Sequence, residues 1–558
     1  MEVIGFIVIA AIIILLIFGN GYVNEKRLYR QYQKRLITDY GKPSNRVYKD
    51  GEFEHIDGYF KNHQTDFSLD EITWNDLNMD DLFKQINYAK SSAGEEYLYY
   101  LLRNPSTNEK DWEDFEKKTE YFMTHEEDRM KLQLALHDMG YTGKYSVYDY
   151  LNNLDILKER NSKKDIFIDL LFIPAILLLW VNIGFGIAAI FALILINLIS
   201  YFKEKEIIDP YITCFAYVFR ILNEVDIISR ENIPCIEDDI KLLKEQKRKF
   251  TRFKRFSFLI MSKSRMTGNP TEILVDYIRM FFHLDIIKFN SMLEEVKKHW
   301  ENIDKMITII GRLDAYLAVG EYRTYLEDYA VPVYKKNAYQ AKNCYHPLLK
   351  DPVKNDIQLE KSILITGSNA SGKSTMLKTV AVNAILAQSI HTVAADFYEA
   401  DCFKIYTSLT LKDNIFAGDS FYMAEIKSIR RMIEAAKETQ VPILCFVDEV
   451  LRGTNTIERI AASSIILQKL SSNYGYCLAA THDIELTEIL KNHYENMHFE
   501  EIMTQGDISF PYRLCRGKAT SRNAIRLLEI MGYGDGITKT AEKMAQHFEK
   551  DGVWEVLT

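Results

Sequence analysis

The sequence predicts a chain of mixed architecture, in which an all-α core and lever region precedes an α/β domain with a doubly wound sheet. Residues 110–160 and 207–323 place apolar side chains at helical spacing between charged faces, as amphipathic helices do. Residues 341–558 contain short apolar runs of strand character that end in glycine-rich or acidic turns. Two strongly apolar stretches, 3–23 and 166–202, differ from both patterns and are long enough to be membrane spans.

Size and composition limit the classes of protein to which the chain can belong. Its 558 residues are enough for several domains, since domains usually hold about 100–200 residues. Hydrophobic residues make up 47% of the chain and charged residues 26%, which excludes a largely disordered or collagenous protein. A net charge of −9 argues against a surface that binds nucleic acid along its whole length, so any such contact must be local. The seven cysteines form no C-x-x-C pair, which indicates neither a disulfide framework nor a zinc site.

The first apolar stretch, residues 3–23, is predicted to be a transmembrane anchor. As a helix it would be about 30 Å long, which matches the hydrocarbon core of a bilayer. A cleaved signal peptide is the alternative, but Glu2 stands where a basic segment would be required and no A-x-A cleavage site follows. The positive residues after the stretch mark its cytoplasmic side and direct the N-terminus outward. They are Lys26, Arg27, Arg30, Lys34 and Arg35.

The second apolar stretch, residues 166–202, is predicted to be a transmembrane helical hairpin. As one helix it would be about 55 Å long, far beyond the roughly 30 Å of a bilayer core. Asn182, Gly184 and Gly186 break it near its middle and mark the turn. Lysines at both ends place both ends in the cytoplasm. We therefore expect a multi-pass protein of the cell membrane whose α/β domain is cytoplasmic; the alternative is a buried pair of apolar helices in a soluble domain.

The strongest local motif lies near the start of the α/β domain. An apolar strand, Ser362–Thr366, leads into a segment of the form G-x-x-x-x-G-K-[S/T], and a helical segment follows. Such a loop wraps the phosphates of a nucleotide with backbone N–H groups, its lysine reaches the β- and γ-phosphates, and the next hydroxyl binds Mg²⁺. These two roles fall to Lys373 and Ser374. The predicted ATP-binding loop comprises Gly367, Ser368, Asn369, Ala370, Ser371, Gly372, Lys373, Ser374 and Thr375.

Two further strands end in side chains suited to phosphate chemistry. Residues 443–447 are followed by Asp448 and Glu449, and a later apolar run is followed by a Thr-His-Asp sequence with His482 at its centre. Because strands of an α/β sheet present ligands at their carboxyl ends, Asp448 is predicted to hold Mg²⁺ through water and Glu449 to orient the attacking water. His482 is predicted to sense the γ-phosphate, with a structural histidine as the alternative. The sequence thus predicts an ATP hydrolase that uses Mg²⁺, with Lys373, Glu449 and His482 as its catalytic residues.

Together these motifs resemble the P-loop ATPase domain of the MutS family, which is related to the ABC ATPases. The matching segments are 366–375, 448–455 and 480–487, with 413–421 in the place of the family's signature loop. A serine of that loop reaches the γ-phosphate bound by the partner subunit, and Ser420 occupies its position. The resemblance therefore implies a homodimer with composite ATP sites, to which each chain contributes Ser420.

A weaker resemblance extends upstream, where residues 79–105 and 303–320 are similar to the helical core and lever of the family. No separate mismatch-reading domain fits between the anchor and residue 79, and the apolar hairpin interrupts the lever region, unlike in the family. The resulting division is a transmembrane anchor (1–23), a basic segment and tether (24–66), the first part of the helical core (67–165), the transmembrane hairpin (166–202), the helical lever region (203–340) and the ATPase domain (341–558).

A basic and aromatic stretch, residues 241–265, leaves the partner of the levers open. Lysines and arginines alternate there with phenylalanines, a composition that suits nucleic acid, anionic lipid or a solvated helix face. The resemblance to DNA mismatch-repair proteins implies levers that bind DNA near the membrane. The alternative is a mechanochemical or scaffolding ATPase that acts on membrane lipid or on a membrane protein partner, without DNA.

Overall fold

The computed structural model describes most of the chain. The described residues are 23–24, 26–152, 154, 157, 162–250, 277–368, 370–409, 421–438, 441–452, 454–471, 475–504, 507–519 and 524–557. The predicted anchor therefore lies almost wholly outside them. The chain divides into two compact units, each assembled from segments that are distant in sequence. The first consists of Met1–Gln64, Ile86–Tyr100 and Glu113–Tyr325, and the second of Thr65–Gln85, Leu101–Trp112 and Leu326–Thr558.

Up to Leu326 the regular structure of the described residues is helical, which confirms the prediction of an α region before the α/β domain. The helices are α1 (26–38), α2 (Gly58–Asn62), α3 (Glu71–Asp76), α4 (Met79–Ile86), α5 (Ser92–Arg103), α6 (Glu109–Thr124), α7 (Glu126–Met139), α8 (Val147–Leu151), α9 (Lys163–Leu170), α10 (Phe172–Val181), α11 (Ile183–Ile228), α12 (Glu237–Lys247), α13 (277–281), α14 (Leu284–Lys298) and α15 (Trp300–Leu326).

The core of the first unit is built on α15, which is buried along most of its length. Its Asp314 is fully buried and accepts hydrogen bonds from the backbone N–H groups of Lys90 and Ser91, at 3.0 and 2.9 Å, and from the Ser91 hydroxyl at 2.6 Å. Burial raises the pKa of Asp314 to about 6, although these hydrogen bonds favour the charged form. Gly311 lets α5 approach closely, since a Cβ there would meet the Ala93 carbonyl oxygen. Asp314 thus ties the start of α5 to α15.

The predicted hairpin is present as two antiparallel helical arms, α9–α10 and the first part of α11. The chain reverses at Asn182, whose side chain accepts from the N–H of Phe185 at 3.1 Å and caps α11. Among the described residues, one helical segment, Ile183–Asp209, is long and apolar enough to cross a membrane, and only 11% of its most apolar part is buried. Trp180 beside the turn is 90% exposed. The break at the middle of the apolar stretch is therefore confirmed, while its location in a membrane stays a prediction.

The described residues of the second unit form three sheets, of which the largest positions the candidate site. The strands are β1 (Val333–Tyr334), β2 (Tyr339–Cys344), β3 (Asn355–Gln358), β4 (Ser362–Thr366), β5 (Phe397–Ala400), β6 (Lys404–Ser408), β7 (Ile443–Asp448), β8 (Gly475–Ala480), β9 (Tyr494–Phe499), β10 (Ile502–Thr504), β11 (Asp507–Ser509) and β12 (Leu514–Arg516). The sheet orders are β1-β5-β2-β3, β10-β11 and β12-β9-β4-β8-β7-β6. In the six-stranded sheet every neighbouring pair is parallel except β12 with β9.

Four helices pack against this sheet: α16 (Lys373–Ile390), α17 (Phe421–Glu438), α18 (Thr456–Leu470) and α19 (Glu485–Ile489). Two later helices, α20 (Ala524–Ile530) and α21 (Asp535–Asp551), contact each other. Alternate side chains of β7 and β8, such as Cys445 and Cys477, pack in one cluster with α17 and α18. Since β4, β7 and β8 run parallel and are nearly in register, with Ile365 and Asp448 both opposite Ala480, their carboxyl ends meet at one edge. The α/β class predicted for this part of the chain is thus confirmed.

Candidate nucleotide site

The loop between β4 and α16 has a backbone that few residue types tolerate. Gly367 and Gly372 have φ values of 147° and 108°, in the region that favours glycine. A Cβ at Gly367 would come within 2.9 Å of the Ser371 hydroxyl and 3.2 Å of the Phe499 carbonyl oxygen. The glycine spacing of the motif is thus explained by the tight turn that precedes α16. Asn369, also predicted to belong to this loop, lies outside the described residues.

Lys373 places its charge against this loop. The residue is 5% exposed, and its Nζ donates to the carbonyl oxygens of Gly367 and Ser368, at 2.8 Å each. Burial lowers the pKa of Lys373, although three nearby carboxylates, of which Asp448 has the largest effect, oppose this shift. The hydroxyl of Ser371 is buried without a hydrogen-bond partner among the described residues. An ammonium group and a spare hydroxyl at the N-terminus of a long helix suit a phosphate ligand.

The two predicted magnesium ligands are brought together by α16 and β7. The hydroxyl of Ser374 donates to Oδ2 of Asp448, the last residue of β7. Burial raises the pKa of Asp448 by more than the Ser374 hydrogen bond lowers it. A hydroxyl and a carboxylate are hard oxygen ligands of the type that Mg²⁺ prefers, and this ion usually takes only one or two protein ligands besides phosphate and water. The pair therefore fits Mg²⁺, whose charge would favour the ionised form of Asp448.

Glu449 and His482 lie at the same edge of the sheet, after β7 and β8. Oε1 of Glu449 lies 3.0 Å from Nε2 of His482, and Oε2 lies 2.6 Å from Nε of Arg452. The hydrogen bond with His482 holds the pKa of Glu449 below its ordinary value, and the charge of Arg452 acts in the same direction. Nε2 of His482 is also 3.4 Å from Nζ of Lys373. The three residues predicted to be catalytic thus form one connected group.

The backbone around Glu449 is held in an uncommon conformation. Glu449 and Leu451 have φ values of 56° and 58°, which non-glycine residues rarely adopt. The N–H of Glu449 donates to the carbonyl oxygen of Ala480 at 2.9 Å, and the N–H of Leu451 donates to the carboxylate of Glu425 on α17. These bonds fix where the Glu449 side chain points. Sequence reasoning assigned no role to Glu425 or Arg452, because neither stands at the end of a strand.

Comparison with known families agrees with this geometry. Residues 363–549 match the family model described as MutS domain V. The C-terminal domain belongs to the MutS family. This confirms the family that the motifs indicated, and it covers the P-loop, Asp448, Glu449 and His482 alike.

Curated relatives of this MutS-family domain come from bacteria and mammals. The DNA mismatch repair protein MutS of Lactobacillus delbrueckii is 28% identical over 282 residues, 48% of this chain and 32% of that protein. The protein of the same description from Thermus thermophilus is 27% identical over 261 residues, 46% of this chain and 32% of that protein. MutS protein homolog 4 of Homo sapiens is 29% identical over 285 residues, 48% of this chain and 30% of that protein. The chain thus matches only about a third of the length of these relatives.

The cleft of the MutS-family domain extends beyond the predicted residues. Its volume is about 540 Å³, within the usual range for small-molecule sites, and residues of the P-loop, Asp448 and Glu449 belong to its lining. Val353 and Tyr512 belong to the same lining. The side chain of Asn355 holds the Tyr512 segment, since it donates to the Tyr512 carbonyl oxygen at 3.0 Å. Sequence reasoning missed these residues because their segments carry no motif and meet only in the folded domain.

His346 and Ser420 differ in how they relate to the cleft. His346 lines the cleft, and burial together with the charge of Lys378 lowers the pKa of His346 to about 4, so its ring is neutral at physiological pH. Ser420 lies outside the described residues, and its action across a dimer interface stays a prediction.

Proposed function

We propose that this protein binds MgATP in the cleft of its MutS-family domain and hydrolyses it to ADP and phosphate. The observation that supports this most strongly is the connected group of Lys373, Glu449 and His482, drawn from three separate segments, beside the Ser374–Asp448 pair. Phosphoryl transfer needs positioning and charge stabilisation more than covalent help, and these groups are of the types that supply both.

Each residue has a distinct task in the proposed reaction. The Lys373 ammonium and the loop N–H groups bind the β- and γ-phosphates, and Mg²⁺ held by Ser374 and Asp448 would neutralise charge that develops on the phosphate oxygens. Glu449, ionised at neutral pH, orients a water and accepts its proton as the water oxygen bonds to the γ-phosphorus. The bond from that phosphorus to the bridging oxygen breaks, and ADP leaves. His482 holds Glu449 in place and donates to the γ-phosphate.

The remainder of the cleft is assigned to the nucleoside. Tyr512 and Val353 offer an aromatic face and an aliphatic side chain, and aromatic rings stack on nucleobases at about 1–3 kcal/mol per base. The Tyr512 ring lies next to the P-loop, since a Cβ on Gly372 would be 3.2 Å from it. A nucleobase stacked on the Tyr512 ring would allow the phosphates of the same nucleotide to bind the P-loop.

Two variants test the hydrolysis. Lys373→Ala should lose both ATP binding and turnover, whereas Glu449→Gln should still bind ATP but lose at least about 100-fold in kcat, since the water is no longer activated. Glu360→Gln, in the exposed loop between β3 and β4, is the matched control and should behave as wild type. Turnover by Glu449→Gln at the wild-type rate would refute the assignment. Binding is read from a fluorescent ATP analogue and turnover from phosphate release.

We propose that the active form is a homodimer with composite ATP sites. The support is the position of Ser420 and the exposure of apolar side chains on α18, where Ile457 is 79% and Ile465 is 59% exposed. A complementation test follows. Ser420→Ala and Lys373→Ala should each be inactive alone, but an equal mixture should recover about a quarter of wild-type turnover, because half of the dimers are mixed and each mixed dimer has one intact site. No recovery after subunit exchange would contradict the composite site.

The levers are proposed to act on DNA, as the mismatch-repair descriptions of two relatives suggest by analogy. The basic and aromatic stretch is the candidate contact, although only residues 241–250 of it are described. There Lys241 pairs with Asp238 at 2.9 Å, and both side chains are exposed.

One observation favours the second candidate, an ATPase that acts on a membrane. Helix α11 runs unbroken for 46 residues, from the exposed apolar hairpin arm into the core of the first unit, where Val218, Ile221 and Leu222 are fully buried. A hairpin that crosses a bilayer would therefore share one rigid element with the levers. The basic residues of α1 are exposed, which suits an anionic lipid surface beside the predicted anchor.

The two candidates predict different effectors. The full-length protein in lipid nanodiscs is assayed for ATP turnover with and without duplex, mismatched and single-stranded DNA, at low and moderate salt. Stimulation by DNA that weakens steeply with salt supports the first candidate. No response to any DNA, with basal turnover that Lys373→Ala abolishes, supports the second.

A further inference from the structure

Residues 65–85 belong to the ATPase unit although they lie more than 240 residues before its largest segment, Leu326–Thr558. Helix α3 packs against β6, the edge strand of the six-stranded sheet. At both ends, at Gln64 and at Ile86, the chain continues into the first unit. Any force on the helical region can therefore reach the ATPase unit along the chain itself.

Asp76, the last residue of α3, holds the carboxyl end of β6. It is 3% exposed, and its Oδ2 accepts from the Thr407 hydroxyl at 2.7 Å and from the N–H of Leu409 at 2.8 Å. Thr73 adds a third bond, since its hydroxyl accepts from the N–H of Thr407 at 3.3 Å. Leu409 is the last described residue before the segment in which the sequence places Ser420.

A second aspartate of the same segment holds α17. The Nη1 of Arg431 donates to Oδ1 of Asp70 at 2.7 Å, and its Nη2 donates to the carbonyl oxygen of Thr407, also at 2.7 Å. The same Asp70 oxygen caps α3 through the N–H of Thr73, at 2.8 Å. One short segment thus fixes both β6 and α17, and α17 also carries Glu425, which holds the backbone after Glu449.

The segment also reaches the magnesium side of the site. The side-chain oxygen of Asn78 accepts from Nζ of Lys378 at 3.4 Å, and Lys378 lies one helical turn after Ser374 on α16. Burial lowers the pKa of Lys378, and the charges of Asp76 and Asp448 oppose that effect. Lys378 is therefore held by Asn78 on the same helix as Ser374 and is close enough to Asp76 and Asp448 for their charges to act on it.

We propose that Asp76, Asn78 and Lys378 are positioning residues for ATP hydrolysis, through which residues 65–85 set the geometry of the carboxyl edge of the sheet. The assignment rests on the proposed hydrolysis of ATP in this cleft. Asp76 fixes the end of β6, beside β7 and its Asp448, while Asn78 fixes Lys378 on the helix that carries Ser374. A displacement of the segment changes the distance between the magnesium ligands without removing either one. Misplacement by about 1 Å can cost about 100-fold in rate, so turnover is sensitive to it while binding is not.

Isosteric variants test this role in the full-length protein. Asp76→Asn replaces one acceptor by an NH₂ group that faces the N–H of Leu409, and Lys378→Gln removes the cation. Each should lower kcat about 10-fold while the affinity for a fluorescent ATP analogue changes less than twofold. Asn78→Gly keeps the backbone, whose φ at Asn78 is 54°, and removes only the carboxamide, so it remains informative if Asp76→Asn does not fold. Asn78→Asp should retain wild-type kcat, because a carboxylate at this position still accepts a hydrogen bond from Nζ of Lys378.

A double-variant cycle separates positioning from mere support of the fold. If Asp76 and Lys378 act through one path, Asp76→Asn with Lys378→Gln should lower kcat no further than the stronger single variant. Independent, multiplying losses, or wild-type kcat in both single variants, would overturn the proposal. The matched control is Asp81→Asn on α4, whose partner is the exposed Lys84 at 3.8 Å. Retained turnover in Lys373→Ala would instead refute the proposed hydrolysis itself.

Discussion

Glu224 of α11 should make the first unit less stable as the pH rises. The residue is 8% exposed, and its Oε2 has no hydrogen-bond partner among the described residues. Burial, with a smaller effect of the nearby Asp138 charge, raises the pKa of Glu224 from its ordinary 4.5 to about 8. A carboxyl whose pKa is higher in the folded than in the unfolded chain contributes its full stability below pH 4.5, and this contribution is lost as the pH rises through 8.

The magnitude follows from that shift. Each unit of pKa difference corresponds to about 1.4 kcal/mol, and between pH 4.5 and 8 the unfolded chain ionises Glu224 while the folded chain keeps it protonated. Relative to pH below 4.5, the free energy of unfolding is therefore lower by about 3 kcal/mol at pH 7 and by about 4 kcal/mol at pH 8. Glu224→Gln has the same shape and cannot ionise. The variant should match wild type at pH 4.5 and be more stable at pH 8, by several degrees in Tm if each kcal/mol is worth about 2–4 °C.

Thermal unfolding of the full-length protein in nanodiscs, followed by circular dichroism at pH 4.5, 6, 7 and 8, measures the difference between variant and wild type. Subtraction removes the contributions of other titrating groups, which both proteins share. Glu206→Gln, an exposed glutamate on the same helix, is the control and should follow wild type at every pH. Parallel Tm curves for wild type and Glu224→Gln would refute the reasoning.

Three further outcomes are expected. Gly372→Ala should lower ATP affinity at least about tenfold, because its φ of 108° and the Tyr512 ring at 3.2 Å leave no place for a methyl group; a nucleotide titration checks this. Arg452→Ala removes a charge that lowers the pKa of Glu449, so the acid limb of the kcat–pH profile should move to higher pH. Asp314→Ala leaves the N–H groups at the start of α5 unpaired and should cost about 2–4 kcal/mol, read from urea unfolding.

The parts of the site that the sequence predicted are those whose chemistry is local. Glycine spacing fixes the loop before Lys373 because a backbone conformation depends on adjacent residues, and Asp448 and His482 meet because parallel strands end at one edge. The residues that were missed depend on contacts between distant segments. Tyr512 reaches the cleft only through the pairing of β9 with β12, and Glu425 reaches Leu451 only because α17 packs beside β7.

In the helical region, too, locally determined features could be predicted from the sequence and others could not. The turn of the hairpin could be predicted, because Asn182, Gly184 and Gly186 break the apolar run locally, and the structure adds that Asn182 caps α11. The continuation of α11 to Ile228 was not predicted. The lysines and glutamates from Lys203 to Glu206 end the apolar run, but they are good helix formers and do not end the helix. A change of hydropathy marks a change of surroundings rather than an end of secondary structure.

The unbroken course of α11 also restricts how this protein can vary in length. Each residue of an α-helix turns the chain by about 100°, so one inserted residue between Asn197 and Val218 would rotate the core-facing side chains of α11 away from their neighbours. An insertion of seven residues returns the faces to within about 20°. An insertion of eleven residues does so equally well, so natural chains with the same arrangement should differ here by about seven or eleven residues, whereas the chain around Asn182 can change in length by single residues.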